Sequence, residues 1–133
     1  AVMALEQSIL KSTKKKLSLD ESYHDFDQDV IDYINSSFFR LYQLGLGPPE
    51  GFAIDDEEET WDSFITGGLN VSVLNAVKTY VNLKVRLQFD PPGLAHHIKA
   101  IEDQIVELEH TLLTERDLAV WTPTVSPSSH YLP

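Results

Sequence analysis

Three sets of side chains in this 133-residue sequence have the types that could do chemistry. Asp25, Asp27 and Asp29 alternate like the first ligands of a calcium loop, but the sixth place holds Val30 instead of glycine and the twelfth holds Ser36 instead of glutamate. They read instead as the capped, solvated first turn of a helix. His96 and His97 are adjacent, so on a helix they diverge by about 100° and are not expected to share a metal. His110 lies almost four turns further on, and no ligand set with workable spacing accompanies the three. Gly45-x-Gly47 has the wrong spacing for a dinucleotide loop, and Pro48 and Pro49 remove amide donors that a phosphate would need. No Gly-Lys-Ser/Thr sequence occurs, and no serine sits in a nucleophile elbow. The absence of cysteine removes disulfides and thiolate zinc sites. Carboxylate pairs abound, but 21 acids supply them by chance. The expectation is no catalytic residue, no metal, no cofactor and no enzyme.

The charge is unevenly placed. The net is −11 overall, with +3 in residues 1–16, −12 in residues 17–70 and −2 in residues 71–133. Such a field repels nucleic acid, whose phosphates bind to basic surface. Lys11, Lys14, Lys15 and Lys16 read as the end of a first helix, where cations favour the dipole. With 42% apolar and 23% charged residues, the chain has the composition of an ordinary globular domain. At this length it can bury roughly 65–70% of its unfolded surface. No apolar run is long enough to cross a bilayer. The start lacks the pattern of a signal peptide, so secretion is not expected. The triplets at Asn35 and Asn70 that resemble glycosylation acceptors therefore carry no weight.

The elements that position these groups read as helices. Leu5, Ile9, Thr13 and Leu17 mark a first helix. Asp25 resembles an N-cap with Gln28 in the capping-box place, and Phe26, Val30, Ile34, Phe38, Leu41 and Leu44 mark one face of a second helix, ended by Gly45. Residues 45–52 must be a loop. The acids Asp55 to Glu59 precede a short helix over residues 60–65, in which Trp61 and Phe64 read as core, closed by Gly67-Gly68. Residues 71–89 are ambiguous, since Val81, Leu83, Val85, Leu87 and Phe89 alternate like a strand, while Leu74, Val77, Tyr80, Val81, Lys84 and Leu87 give a helical face. Asp90 and Pro91 stop and restart the chain, and Leu94, Ile98, Ile101, Ile105, Leu108 and Leu112 form a narrow seam on a last helix. Two long helices joined at Asp90 to Gly93 are expected to form a hairpin.

The expected architecture is all-α: a compact domain of about four to five helices over residues 1–113, then an extended C-terminal arm over 114–133. That arm is rich in proline and serine but keeps Trp121, Val125, Tyr131 and Leu132, spaced apolar anchors that suit docking on another surface. A dozen extended residues reach roughly 40 Å. Three classes of function fit. They are a structural protein assembling through its helices and arm, a helical adaptor for one soluble host protein, and an acidic DNA mimic, which would spread its acids over a whole surface.

Several segments, in order, resemble one family. They are Leu10-Lys11-Ser12-Thr13-Lys14-Lys15-Lys16-Leu17, Phe26-Asp27-Gln28-Asp29-Val30-Ile31-Asp32-Tyr33-Ile34-Asn35, Leu44-Gly45-Leu46-Gly47-Pro48 with Gly51-Phe52, and Thr60-Trp61. The last and most specific runs from Val77-Lys78-Thr79-Tyr80-Val81-Asn82-Leu83-Lys84 through Val85-Arg86-Leu87-Gln88-Phe89-Asp90-Pro91-Pro92. Together they resemble the head–tail connector proteins of tailed bacteriophages, the head-completion adaptors. The resemblance covers about residues 5–113.

The resemblance implies a mostly helical fold, and so a helix over 71–89. It implies a homo-oligomeric ring, usually of about twelve copies, bound to the portal protein in the virion neck and made in the host bacterial cytoplasm. The ring would prolong the DNA channel without specific DNA binding and offer a platform for a head-closure (stopper) or tail-terminator protein. No membrane is involved. On this reading the arm residues Trp121, Val125, Tyr131 and Leu132 dock on the portal. Leu83, Leu87, Ile101, Ile105, Leu108 and Leu112 make ring contacts. Asp55, Asp56, Glu57, Glu58 and Glu59 are candidates for an acidic lumen, against the plainer reading of helix N-terminal charge and solubility.

Overall fold

Ser8 starts the first helix by doing two things at once. Its Oγ accepts from the Lys11 amide at 3.2 Å, and it donates to the Glu57 carbonyl at 2.8 Å. The Ile9 amide donates to the Glu59 carbonyl at 3.0 Å, and Ser8 pairs with Thr60 in an isolated bridge. Helix α1, Ile9–Lys16, is thereby tied at its origin to the acidic loop. The computed structural model describes residues 8–20, 22–48, 50–64 and 71–121, so the expected start of α1 at Leu5 lies outside the described residues, as does Gly67-Gly68.

Helix α2, Asp27–Gln43, buries Val30, Ile31, Ile34, Ser37, Phe38 and Leu41. Its start corrects the sequence reading. Phe26, not Asp25, occupies the N-cap, with no side-chain cap bond, and Gln28 donates to Asp32 at 2.9 Å instead of closing a capping box. Phe26 is also exposed instead of lying on the buried face. The cause is Asp27, which is held by Lys14 at 2.7 Å and His24 at 2.8 Å and so fixes where the helix begins.

Leu44 and Gly45 end α2, with Gly45 in the left-handed region at φ 83°. The loop that follows is pinned from two sides. Asn35 donates to the Ile54 carbonyl at 2.9 Å and accepts from the Ile54 amide at 2.7 Å, satisfying both backbone groups of a buried residue. Gly47, at φ 86°, lies so close to Phe64 that an added Cβ would meet the ring at 2.6 Å. The single turn α3, Trp61–Phe64, then places Trp61 at the centre of the core, where its indole donates to Ser12 Oγ at 3.0 Å.

Helix α4, Val71–Phe89, resolves the ambiguous segment. It packs against α1, α2 and α5, so it is apolar on more than one side. Val81 and Val85 are buried, and Leu83 and Leu87 are half-buried between other neighbours, which is why a central helix imitates the alternation of a strand. The chain then turns at Asp90 to Leu94 and folds back as α5, Ala95–Trp121, which packs on α4.

The end of α5 is a second correction. The helix runs to Trp121, eight residues past the expected boundary at 113, so the stretch from 114 to 121 is not an extended arm. Apolar periodicity stops after Leu113, but Thr114, Glu115 and Arg116 can continue a helix without it. Arg116 also donates to the Leu44 carbonyl at 2.6 Å, holding this last part of α5 to the end of α2. Val125, Tyr131 and Leu132 lie outside the described residues. Among the described residues the fold is all-helical, with no strand.

Candidate functional site

The described surfaces that bear on assembly are an acidic cleft beside α1, the α4–α5 seam and the outer face of α2. The cleft has a volume of about 640 Å³. Leu10 and Ile31 line its apolar part, and Asp27, Asp55, Asp56, Glu57 and Glu58 surround them. The acidic run is an ordered loop and not a loose tail. The Glu59 carboxylate accepts from the Asp55 amide at 3.1 Å and the Asp56 amide at 3.3 Å, and Asp56 accepts from the Glu58 amide at 2.8 Å. Glu59 is therefore spent inside the loop. Glu57 is half-buried, with a long 4.0 Å ion pair to Lys11. Asp55, Asp56 and Glu58 are the members turned to solvent.

Asp27 is likewise not the solvated first-turn acid that its position suggests. Burial pushes its carboxyl up, but the bonds from Lys14 and His24 outweigh that and hold it below the usual aspartate value. Lys14 is 2% exposed and also donates to the Tyr23 carbonyl at 2.7 Å. The sequence placed Lys14 correctly in the last turn of α1 but gave no sign that it is buried.

The seam between α4 and α5 contains a polar knot that sequence reasoning missed. Tyr80, fully buried, donates to Glu109 at 2.6 Å, and Glu109 also pairs with Arg40 at 3.4 Å. Burial and then the Glu109 carboxylate raise the Tyr80 hydroxyl well above its ordinary pKa, so it stays a donor. A tyrosine inside an apolar run signals that a polar group must meet it, but the run cannot name Glu109, 29 residues away.

The six proposed ring-contact residues fall into two groups. Leu112 is 0% exposed and Ile105 is 8% exposed, so both are spent inside the subunit. Leu83, Leu87, Ile101 and Leu108 are half-buried against the core and keep some surface for a neighbour. Leu94, which the seam pattern placed on the buried face, is instead 55% exposed just before α5 begins, and Val106, outside the seam, is 65% exposed. On α2, Phe39 and Tyr42 stack at 6.2 Å and both face solvent. Trp121, proposed for the arm, is the last residue of α5.

His96 and His97 correct a further expectation. Their rings lie edge to face at 4.3 Å instead of pointing apart, on the exposed first turn of α5. No group of three metal-ligating side chains is arranged to hold an ion among the described residues, and no helix there is long and apolar enough to cross a membrane.

Two comparisons, with the curated proteins and with the solved structures, give no match. A scan against family models matches residues 9–119 to the family described as phage connector protein, a span that takes in α1 to α4 whole and all but the end of α5.

Proposed function

Because the chain belongs to the phage connector protein family, structural proteins of the phage head–tail junction, we propose that it forms a ring beneath the portal. The ring extends the DNA channel and presents a platform for the next head-closure or tail-terminator protein. The observation that carries this reading is the family match across α1 to α5.

Two physical features support it. The net charge of −11, with Asp56 of the acidic loop turned to solvent, suits a passage that must let a polyanion slide, because each basic contact to phosphate would act as a brake. The α4–α5 pair leaves Leu83, Leu87, Leu94, Ile101, Val106 and Leu108 partly or largely uncovered, surface that a neighbouring subunit would cover. The residues after Trp121, including Val125, Tyr131 and Leu132, are proposed to dock on the portal.

Electron microscopy of the purified chain with its portal tests the ring. A closed ring seated on the portal is the expected image; a one-to-one soluble complex with a host protein would replace this reading with that of a regulatory adaptor. Removing residues 122–133 should leave the helical domain folded by circular dichroism and abolish attachment. Unimpaired attachment would remove the docking role from the tail.

A further inference from the structure

We infer that neighbouring copies of this chain meet head to tail across α1, the acidic cleft of one copy receiving the basic flank of the next. The inference rests on the ring reading above and adds, beside the apolar α4–α5 surface, the charged faces that would set the register between neighbours. A ring needs two different faces that fit each other, because head-to-tail contacts never pair a patch with itself. Helix α1 carries such faces on its two sides.

One side is the cleft. Leu10 contributes to its apolar lining, and Asp55 and Glu58 stand exposed at its border. The other side is basic. Ser12, about 160° around the helix from Leu10, meets the Trp61 indole, and Lys78 Nζ lies 5.8 Å over the Trp61 ring. Lys15 and Lys16 are exposed, about 140° and 120° from Leu10 in opposite senses around the helix. The Lys16 charge reaches Lys78, where it adds to burial in lowering that ammonium's pKa, so positive groups gather on this side. In a chain with 10 basic residues against 21 acids, three lysines on one flank and a rim of acids on the opposite flank are complementary surfaces. The occupant of the cleft is therefore a second copy, with its lysines reaching the rim acids. Opposite charges at such a rim steer encounter and fix register.

Sedimentation velocity of the full-length chain, from micromolar to millimolar concentration at low and high salt, tests this. The wild type should self-associate, and salt should weaken the association. Lys15→Glu with Lys16→Glu should weaken it by about tenfold. Asp55→Lys with Glu58→Lys should weaken it similarly, although these changes move the net charge from −11 to −7 and general repulsion alone predicts tighter association. The chain carrying all four changes has its flanks exchanged and should associate again. A salt-independent or strictly monomeric wild type overturns the inference, as does tighter association of the acid-to-lysine variant or failure of the fourfold variant to recover. Circular dichroism checks each fold, and if a reversal unfolds, the neutral pairs K15Q/K16Q and D55N/E58Q read the same loss.

Microscopy on the portal separates the two claims. Closed rings formed undiminished by the lysine-reversed chain would keep the ring and discard these flanks. No ring from a wild type that self-associates as described would discard the ring and keep the flanks.

Discussion

The two ends of the α4–α5 pair are closed to different degrees. From Val73 to Val85, α4 buries Val73, Leu74, Val77, Tyr80, Val81 and Val85 against α1, α2 and α5. From Arg86 to Gln104, across the turn and the first turns of α5, no residue is buried. Phe89 touches only the exposed ring of Phe26 among the aromatic contacts there, and Leu94 stands open. The body is completed by its own chain, whereas the far end has helices but little core. Helical hydrogen bonding and propensity can maintain that end without tertiary burial only when one part of each helix is anchored. The anchor here is the body. The lesson is that one helix pair serves both as core and as a projecting, uncovered surface suited to a neighbour.

The sharpest way to break the contrast is in the body. Trp61→Ala removes a 0% exposed ring that packs with Phe38 and donates to Ser12, and it should cost about 4 kcal/mol of stability. Chemical denaturation would read this as a large fall in the unfolding midpoint, and a change below about 1 kcal/mol would mean that this core is not what holds the body together.

Lys14→Ala comes next. It leaves Asp27 in a partly enclosed place without its closest cation and should cost about 3 kcal/mol. The pH profile sharpens the result. Asp27 has a lowered pKa in the folded chain, so its contribution is fully present above the unfolded aspartate value of about 3.9 and is lost as pH falls through the lower folded value. Thermal melts of Asp27→Asn should lack that acid-side component, while the wild type shows it. Identical profiles would remove the ion pair from the stability of the body.

The smallest effect on the isolated chain belongs to the far end. Leu94→Ala alters a largely exposed side chain and should change stability by less than about 0.5 kcal/mol. The same variant should weaken ring formation on the portal if the open end is where a subunit meets its neighbour. A large loss of monomer stability would show that this end is core after all, and the contrast would disappear.

Much of the helical fold was legible in the sequence. The seam of α5 from Ile101 to Leu112, the face of α2 from Val30 to Leu41, the loop forced by Pro48 and the glycines around it, and the burial of Trp61 and Phe64 all follow from periodicity, backbone preference and size, whereas Leu94, the first residue of the expected seam, stands exposed. These are local properties, each decided within a few turns of chain. The end of α5 was not legible, because periodicity reports which residues are covered and not which are helical.

The candidate surfaces were only half legible. The acids at 55–59 were visible, but not that Glu59 would turn inward to cap its own loop while Asp55 and Glu58 border a cleft. Lys14 with Asp27, Tyr80 with Glu109 and Arg40, and Asn35 with Ile54 are pairings between segments remote in sequence. Composition and spacing determined by themselves that this chain would be acidic and helical over most of its segments, with residues 71–89 left open between helix and strand. Only the tertiary structure decided which charges are spent inside, which remain on the two sides of α1 and which apolar residues stay open. The physical reason is that burial and charge pairing depend on what arrives from elsewhere in the chain, and no local pattern carries that information.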